Sequence, residues 1–195
     1  MLLLAAALAF AVPASAQHLF DFNGQTIVPA TVGGALSMNA VVYDAPPAVT
    51  PIPLDFANYE YTLVITGLTL DVDGMTQVYS GGTIALYEDN GSSADFANPG
   101  SFVDGTALMT GDITSLNRTM FTANIGTVVG SVNWTGGSRV NELAPEELLG
   151  WPLLSGINAM ASQTEPGYDE NWDGKTEQTV SNEVLDFGEL KNSFR

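Results

Sequence analysis

The stretch YDENWDGKTE, residues 168–177, carries Asp169, Asn171, Asp173 and Gly174 at the spacing D-x-N-x-D-G. In a calcium loop, positions 1, 3 and 5 put oxygens on the ion, a glycine at 6 lets the backbone turn, and a bidentate carboxylate at 12 closes the shell. Counted from Asp169, position 9 is Glu177, an acceptable ligand, whereas position 12 is Val180, which offers no oxygen. Glu183 comes three residues too late, and TEQTVSN is a poor helix former, so no EF-hand-like helix follows. The candidate metal set is therefore Asp169, Asn171, Asp173 and Glu177, with Ca²⁺ as the ion it would hold. The plainer alternative, an Asx-rich turn in an acidic tail, carries more weight because the closing carboxylate is missing.

A second acidic group comprises Glu88, Asp89, Asn90, Asp95 and Asp104, with Asp71 and Asp73 as further members. Gathered on loops at one end of a β-domain, these oxygens would also suit a hard cation. Solvated turn residues in an acidic protein are again the plainer reading.

Catalytic constellations are scarce. His18 is the single histidine, near the start of the chain where fraying is expected, and there is no cysteine. Ser-His-Asp, Cys-His and His- or thiolate-zinc chemistry are thereby unavailable. Two carboxylates suffice for glycoside hydrolysis, but no spacing here favours a particular pair. Gly81-Gly82 and Gly136-Gly137 sit at strand ends with no following helix or Lys, unlike a phosphate loop. The expectation is a non-enzyme that requires no cofactor. Trp134, Trp151 and the strand tyrosines read as core, while Trp172, inside the acidic stretch, is expected to be exposed or docked on a partner.

The formal charge is −17, from 5 basic and 22 acidic residues. Such a field repels nucleic acid and anionic lipid. The opening MLLLAAALAFAVPASA is an apolar run ending in Ala14-Ser15-Ala16, the pattern of a secretory signal with A-x-A cleavage before Gln17. Its apolar core is too short to span a bilayer, and no later stretch is long enough, so membrane insertion after cleavage is not expected.

The elements that must position these groups are strands. ALSMNAVVY (35–43) and YEYTLVITGLTLDV (59–72) alternate with period two; TQVYS (76–80), GTIALYED (82–89), TALMTGDITSL (106–116), TMFTANIG (119–126) and TVVGSVNWT (127–135) continue the series. Seven or eight short strands separated by Gly/Asn/Asp turns read as an antiparallel sandwich or barrel. The expectation is an all-β antiparallel sandwich, jelly-roll or Ig-like, over residues 17–160. The proline-rich 44–58 crosses between sheet edges, and 89–105 is a long surface loop. Pro145–Gly150 forms a short helical turn, after which WPLLSGINAM packs back through Trp151, Leu153 and Leu154. Residues 161–195 are expected to be an acidic linker and C-terminal segment, whose Val184, Leu185, Phe187, Leu190 and Phe194 form an amphipathic patch.

YTLVITGL (61–68), VYSGGTIALYED (78–89), FVDGTALMTGDI (102–113) and VNWTGGS (132–138) together resemble a group of exported bacterial β-domains often found in PEP-CTERM-type proteins. The resemblance covers about residues 59–175, without the terminal Pro-Glu-Pro, apolar helix and basic cluster of such chains. It implies a secreted or surface location on a bacterium and supplies no catalytic residues. The expected function is a non-catalytic extracellular structural or surface-associated protein, self-assembling through exposed strand edges. Its partners would be extracellular matrix or surface components, or further copies of itself. The alternative is a calcium- or carbohydrate-binding module with a polysaccharide partner.

Overall fold

The computed structural model describes residues 17–43 and 50–178. The signal-like residues 1–16, the proline-rich 44–49 and the segment 179–195 with its amphipathic patch lie outside the described residues. Nine strands are present: β1 (Gln17–Ile27), β2 (Ala35–Tyr43), β3 (Glu60–Val72), β4 (Thr76–Ser80), β5 (Thr83–Asp89), β6 (Thr106–Met120), β7 (Ile125–Gly136), β8 (Trp151–Asn158) and β9 (Glu170–Gln178).

All pairings are antiparallel and join strands that follow one another in the chain, with β4 and β5 together taking one place between β3 and β6, and the last strand pairs with the first, from Gln17↔Gln178 to Thr26↔Glu170. The fold is thus a closed up-and-down barrel of eight positions, not the sandwich expected from the strand series. One position is shared. The first half of β3 pairs with β5 (Glu60↔Asp89 to Thr66↔Thr83) and the second with β4 (Thr69↔Ser80), so β4 and β5 form one strand interrupted at Gly81-Gly82. Gly67, Gly81 and Gly82 all have positive φ and face one another across this break. A Cβ on Gly82 would lie 2.8 Å from Leu68 Cγ, so only glycine fits the kink.

Two consequences correct the sequence expectations. β9 is part of the barrel, so the domain does not end at residue 160. Closure also leaves no unpaired strand edge in the ring, which removes the edge-to-edge route to assembly.

Period two decides what fills the interior. Leu36, Met38, Ala40 and Val42 of β2 and Tyr61, Leu63 and Ile65 of β3 point inward and are buried, as their alternation predicts. An eight-stranded barrel is just wide enough for side chains to fill. Here Trp134, Trp151, Trp172, Tyr61, Tyr79 and Phe22 are the largest fully buried ones. The outer face of β6 and β7 is mixed, with Asp112, Thr114, Asn117, Thr127 and Ser131 beside Ile125 and Val129, and so lacks a continuous apolar band. No helix among the described residues is long and apolar enough to cross a membrane.

The ends of the barrel differ. At the end formed by 28–34, 73–75, 121–124 and 159–169, the turn end, backbone bonds link the connections in a ring: Gly33 N to Leu70 O, Met120 N to Met75 O, Ala159 N to Asn124 O and Asp169 N to Thr26 O. Val32, Met75, Phe121 and Met160 are exposed there. Beneath them Arg118 of β6 donates bidentately to Glu170 of β9, both side chains being nearly buried. Arg118 Nη1 also donates to Gln77 Oε1 at 2.9 Å, Tyr79 donates to the same oxygen at 2.7 Å, and Trp172 Nε1 donates to Glu170 Oε2 at 3.0 Å.

At the opposite, loop end, longer connections fold inward. Ile52 and Leu143 plug the opening over Phe20, Trp134 and Trp151, and the expected helical turn is a 3-10 turn at Pro145–Glu147 whose Glu147 carbonyl accepts from Trp151 Nε1. The 90–105 connection runs up the outside of β2 and β3. Thr62 Oγ1 donates to Phe102 O at 2.8 Å, and Phe96 stacks between Phe102 and Tyr168, which explains why outward-facing Thr62 is buried.

Candidate functional site

The D-x-N-x-D-G stretch is a strand, and this changes what its oxygens can do. Along β9, alternate side chains face opposite sides: Glu170, Trp172, Gly174 and Thr176 inward, Asn171, Asp173, Lys175 and Glu177 outward. Residues two apart on a strand stand ~6.6 Å from each other in a row, whereas a calcium loop curls its ligands round one point. Gly174 does not turn the chain; a Cβ there would lie 2.7 Å from Phe22 Cζ, so its role is to admit that ring. Trp172, expected to be exposed or docked on a partner, is fully buried within the barrel.

Each proposed ligand has a protein partner. Asp169 Oδ2 accepts from Val28 N at 2.8 Å, Asn171 bonds Asn23 on β1, Asp173 Oδ1 accepts from Tyr43 OH at 2.8 Å, and Glu177 Oε2 accepts from Lys175 Nζ at 2.7 Å. The bond from Lys175 holds the Glu177 carboxyl below its ordinary range. Among the described residues, no three His, Asp or Glu side chains converge as a metal site would need.

The second acidic group is divided by the fold. Asp71 and Asp73 lie at the turn end, the others at the loop end. Asp89 accepts from Gly91 N and Ser92 N, both at 3.0 Å, Asp95 accepts from Ala97 N at 2.9 Å, and Glu88 accepts from Tyr61 OH at 2.8 Å. Burial, together with Glu88, pushes the Tyr61 phenol up to about 12. Asp89 and Asp95 thereby hold the long 90–105 connection in place.

What the fold does bring together is a set that sequence reasoning missed. Across the outer wall, register aligns Val129 of β7, Leu154 of β8, Lys175 of β9, Asp21 of β1 and Tyr43 of β2 in one row. A groove of about 450 Å³ runs along this row, with Gly156 and Asp173 beside it. His18, expected at a frayed start, is held on β1 with Nε2 2.8 Å from Asp21 Oδ1 and Nδ1 3.6 Å from Glu177 Oε2. His18 Nε2 and Asp21 Oδ1 are both shielded from solvent, and neither makes a hydrogen bond among the described residues, so their approach is a close contact without hydrogen-bond geometry. Burial raises the Asp21 carboxyl above its ordinary range against the lowering influence of His18 and Lys175. Burial and the bond to Asp173 push the Tyr43 phenol up to about 12. Nothing in the local sequence signals this row, because its members come from five strands and meet only when the barrel closes.

The chain matches no protein-family model, no curated protein and no solved structure.

Proposed function

We propose that this protein is a non-catalytic domain of the bacterial exterior that holds an extracellular matrix or surface component. The observation that carries this reading is how its reactive side chains are used. Asp169, Asp89 and Asp95 brace turns, Asp173 bonds Tyr43 across strands, and the imidazole of His18 is wedged between Asp21 and Glu177. General acid–base work needs a group within reach of a bound substrate and free to exchange its proton. The signal-like pattern of residues 1–16 supports the exported location of this reading. With the strand edges sealed, self-association would use side-chain surfaces such as the exposed Met75 and Phe121 of the turn end.

The test is localisation paired with turnover. Immunogold labelling of the source bacterium should decorate the outer surface or matrix, and purified protein should leave a panel of polysaccharides uncleaved. Label confined to the cytoplasm, or release of reducing sugar that disappears with an Asp→Asn variant, overturns the reading.

A further inference from the structure

We propose that the outer-wall groove over β8 and β9 binds a neutral saccharide. This rests on the holding, non-catalytic reading above and assigns it a site. A barrel wall is convex, so a hollow in it needs a cause. Here the cause is Gly156, which faces outward between Thr127 of β7 and Asp173 of β9 and contributes no side chain. Val129 and Leu154 form an apolar floor on one side. On the other, Tyr43 reaches from β2 to Asp173 on β9, a span of two strand spacings or ~9.6 Å, so its ring lies over β1 as a wall.

The charges select the ligand class. Asp21 and Asp173 offer carboxylate oxygens, and Lys175 sits in the same row between Asp21 and Leu154. An anionic ligand would meet two carboxylates. A cationic one would meet the ammonium beside the apolar floor. A neutral pyranose uses both: its hydroxyls donate to carboxylates and accept from the ammonium, while its C–H face covers Leu154, Val129 and the bare Gly156. Asp21 lines the groove with a carboxylate contacted only by His18 among the described residues, which makes it the acceptor that gains most from such a hydroxyl. The groove volume of about 450 Å³ is that of a small-molecule site.

The experiment is titration calorimetry on the chain from Gln17 onward. Its probes are neutral hexaoses of β-glucose, α-glucose, mannose and N-acetylglucosamine, with octalysine and polygalacturonate as charged contrasts. At least one neutral hexaose should bind. Gly156→Leu should abolish binding by filling the hollow; an added Cβ meets nothing nearer than Asp173 O at 3.9 Å, so the fold accommodates it. Should its Tm fall, Tyr43→Ala is read in its place. Asp21→Asn should weaken binding about tenfold, in line with losing a charged acceptor. Phe56→Ala, at the loop end, should bind as the parent does. Failure of every neutral hexaose to bind, persistence of binding in both Gly156→Leu and Tyr43→Ala, or binding of only a charged probe overturns the proposal. Saccharide bound elsewhere sinks this site and spares the holding reading, whereas cleavage of a hexaose sinks that reading itself.

Discussion

The two ends of the barrel solve the same problem by opposite means. At the loop end, long connections supply Ile52 and Leu143, and the interior below them is aromatic and apolar. At the turn end, the connections after β3 and β6 are too short to fold inward, and the last interior layer is ionic: Arg118, Glu170, Gln77 and Tyr79 bonded to one another. An apolar plug needs chain length. A polar layer needs only mutually satisfied partners. The second is the more fragile, because desolvated charges are tolerated only in pairs.

That contrast can be broken by truncation on each side. Arg118→Met leaves the Glu170 carboxylate buried without its countercharge and should cost about 3–5 kcal/mol in urea unfolding. Replacing Glu170 by Met as well should recover most of the loss. Trp151→Ala, at the loop end, should also cost about 3–5 kcal/mol, through cavity formation. No single second substitution should restore it, since there is no partner charge to remove. If the Arg118/Glu170 double variant proves no more stable than Arg118→Met alone, the account of the ionic layer is wrong.

Tryptophan-to-phenylalanine pairs sharpen the comparison. Trp172 Nε1 donates to Glu170, whereas Trp134 Nε1 has no partner among the described residues. Trp172→Phe should therefore cost about 1 kcal/mol more than Trp134→Phe; equal losses would show that the indole bond adds nothing.

A carboxyl outside the ionic layer gives the pH test. Asp21 has its folded pKa raised by burial, so the folded chain takes up this proton before the unfolded chain does. Its cost to stability is full at neutral pH and is relieved as pH falls through the raised value. Asp21→Asn should raise Tm at pH 7 and flatten the profile on the acid side of neutrality; a lower Tm at pH 7 contradicts the assignment. The smallest effect belongs to the exposed turn-end residues. Met75→Ser and Phe121→Ser should each change stability by less than about 0.5 kcal/mol, as measured by the same unfolding assay.

Much of this architecture is legible in sequence. The β2 and β3 alternation places core residues correctly, and the turn at Pro145 is where its Pro and acids put it. The D-x-N-x-D-G stretch reads as a turn and forms a strand, for a physical reason. Ligands at positions 1, 3 and 5 share their period with the outer face of a strand, and only the behaviour of the glycine separates the two. In β9 the inward residues are Glu170, Trp172, Gly174 and Thr176, of which one is apolar and large, so the strand hides its core face. Glu170 reads as surface because its partner Arg118 is 52 residues away. Barrel closure is equally invisible, since β1 and β9 meet from opposite ends of the described chain.

The seam between β1 and β9 carries a mechanical consequence. Gln17 and Gln178 are paired neighbours, so the chain enters and leaves the barrel side by side. Tension applied across those two points loads the seam at one extremity and parts its rungs in succession, as a zipper opens. Tension applied along the strands would instead have to shear all the rungs together. As an inserted module, the barrel would interrupt a host polypeptide with scarcely any displacement of its path, yet it would yield early under stretch.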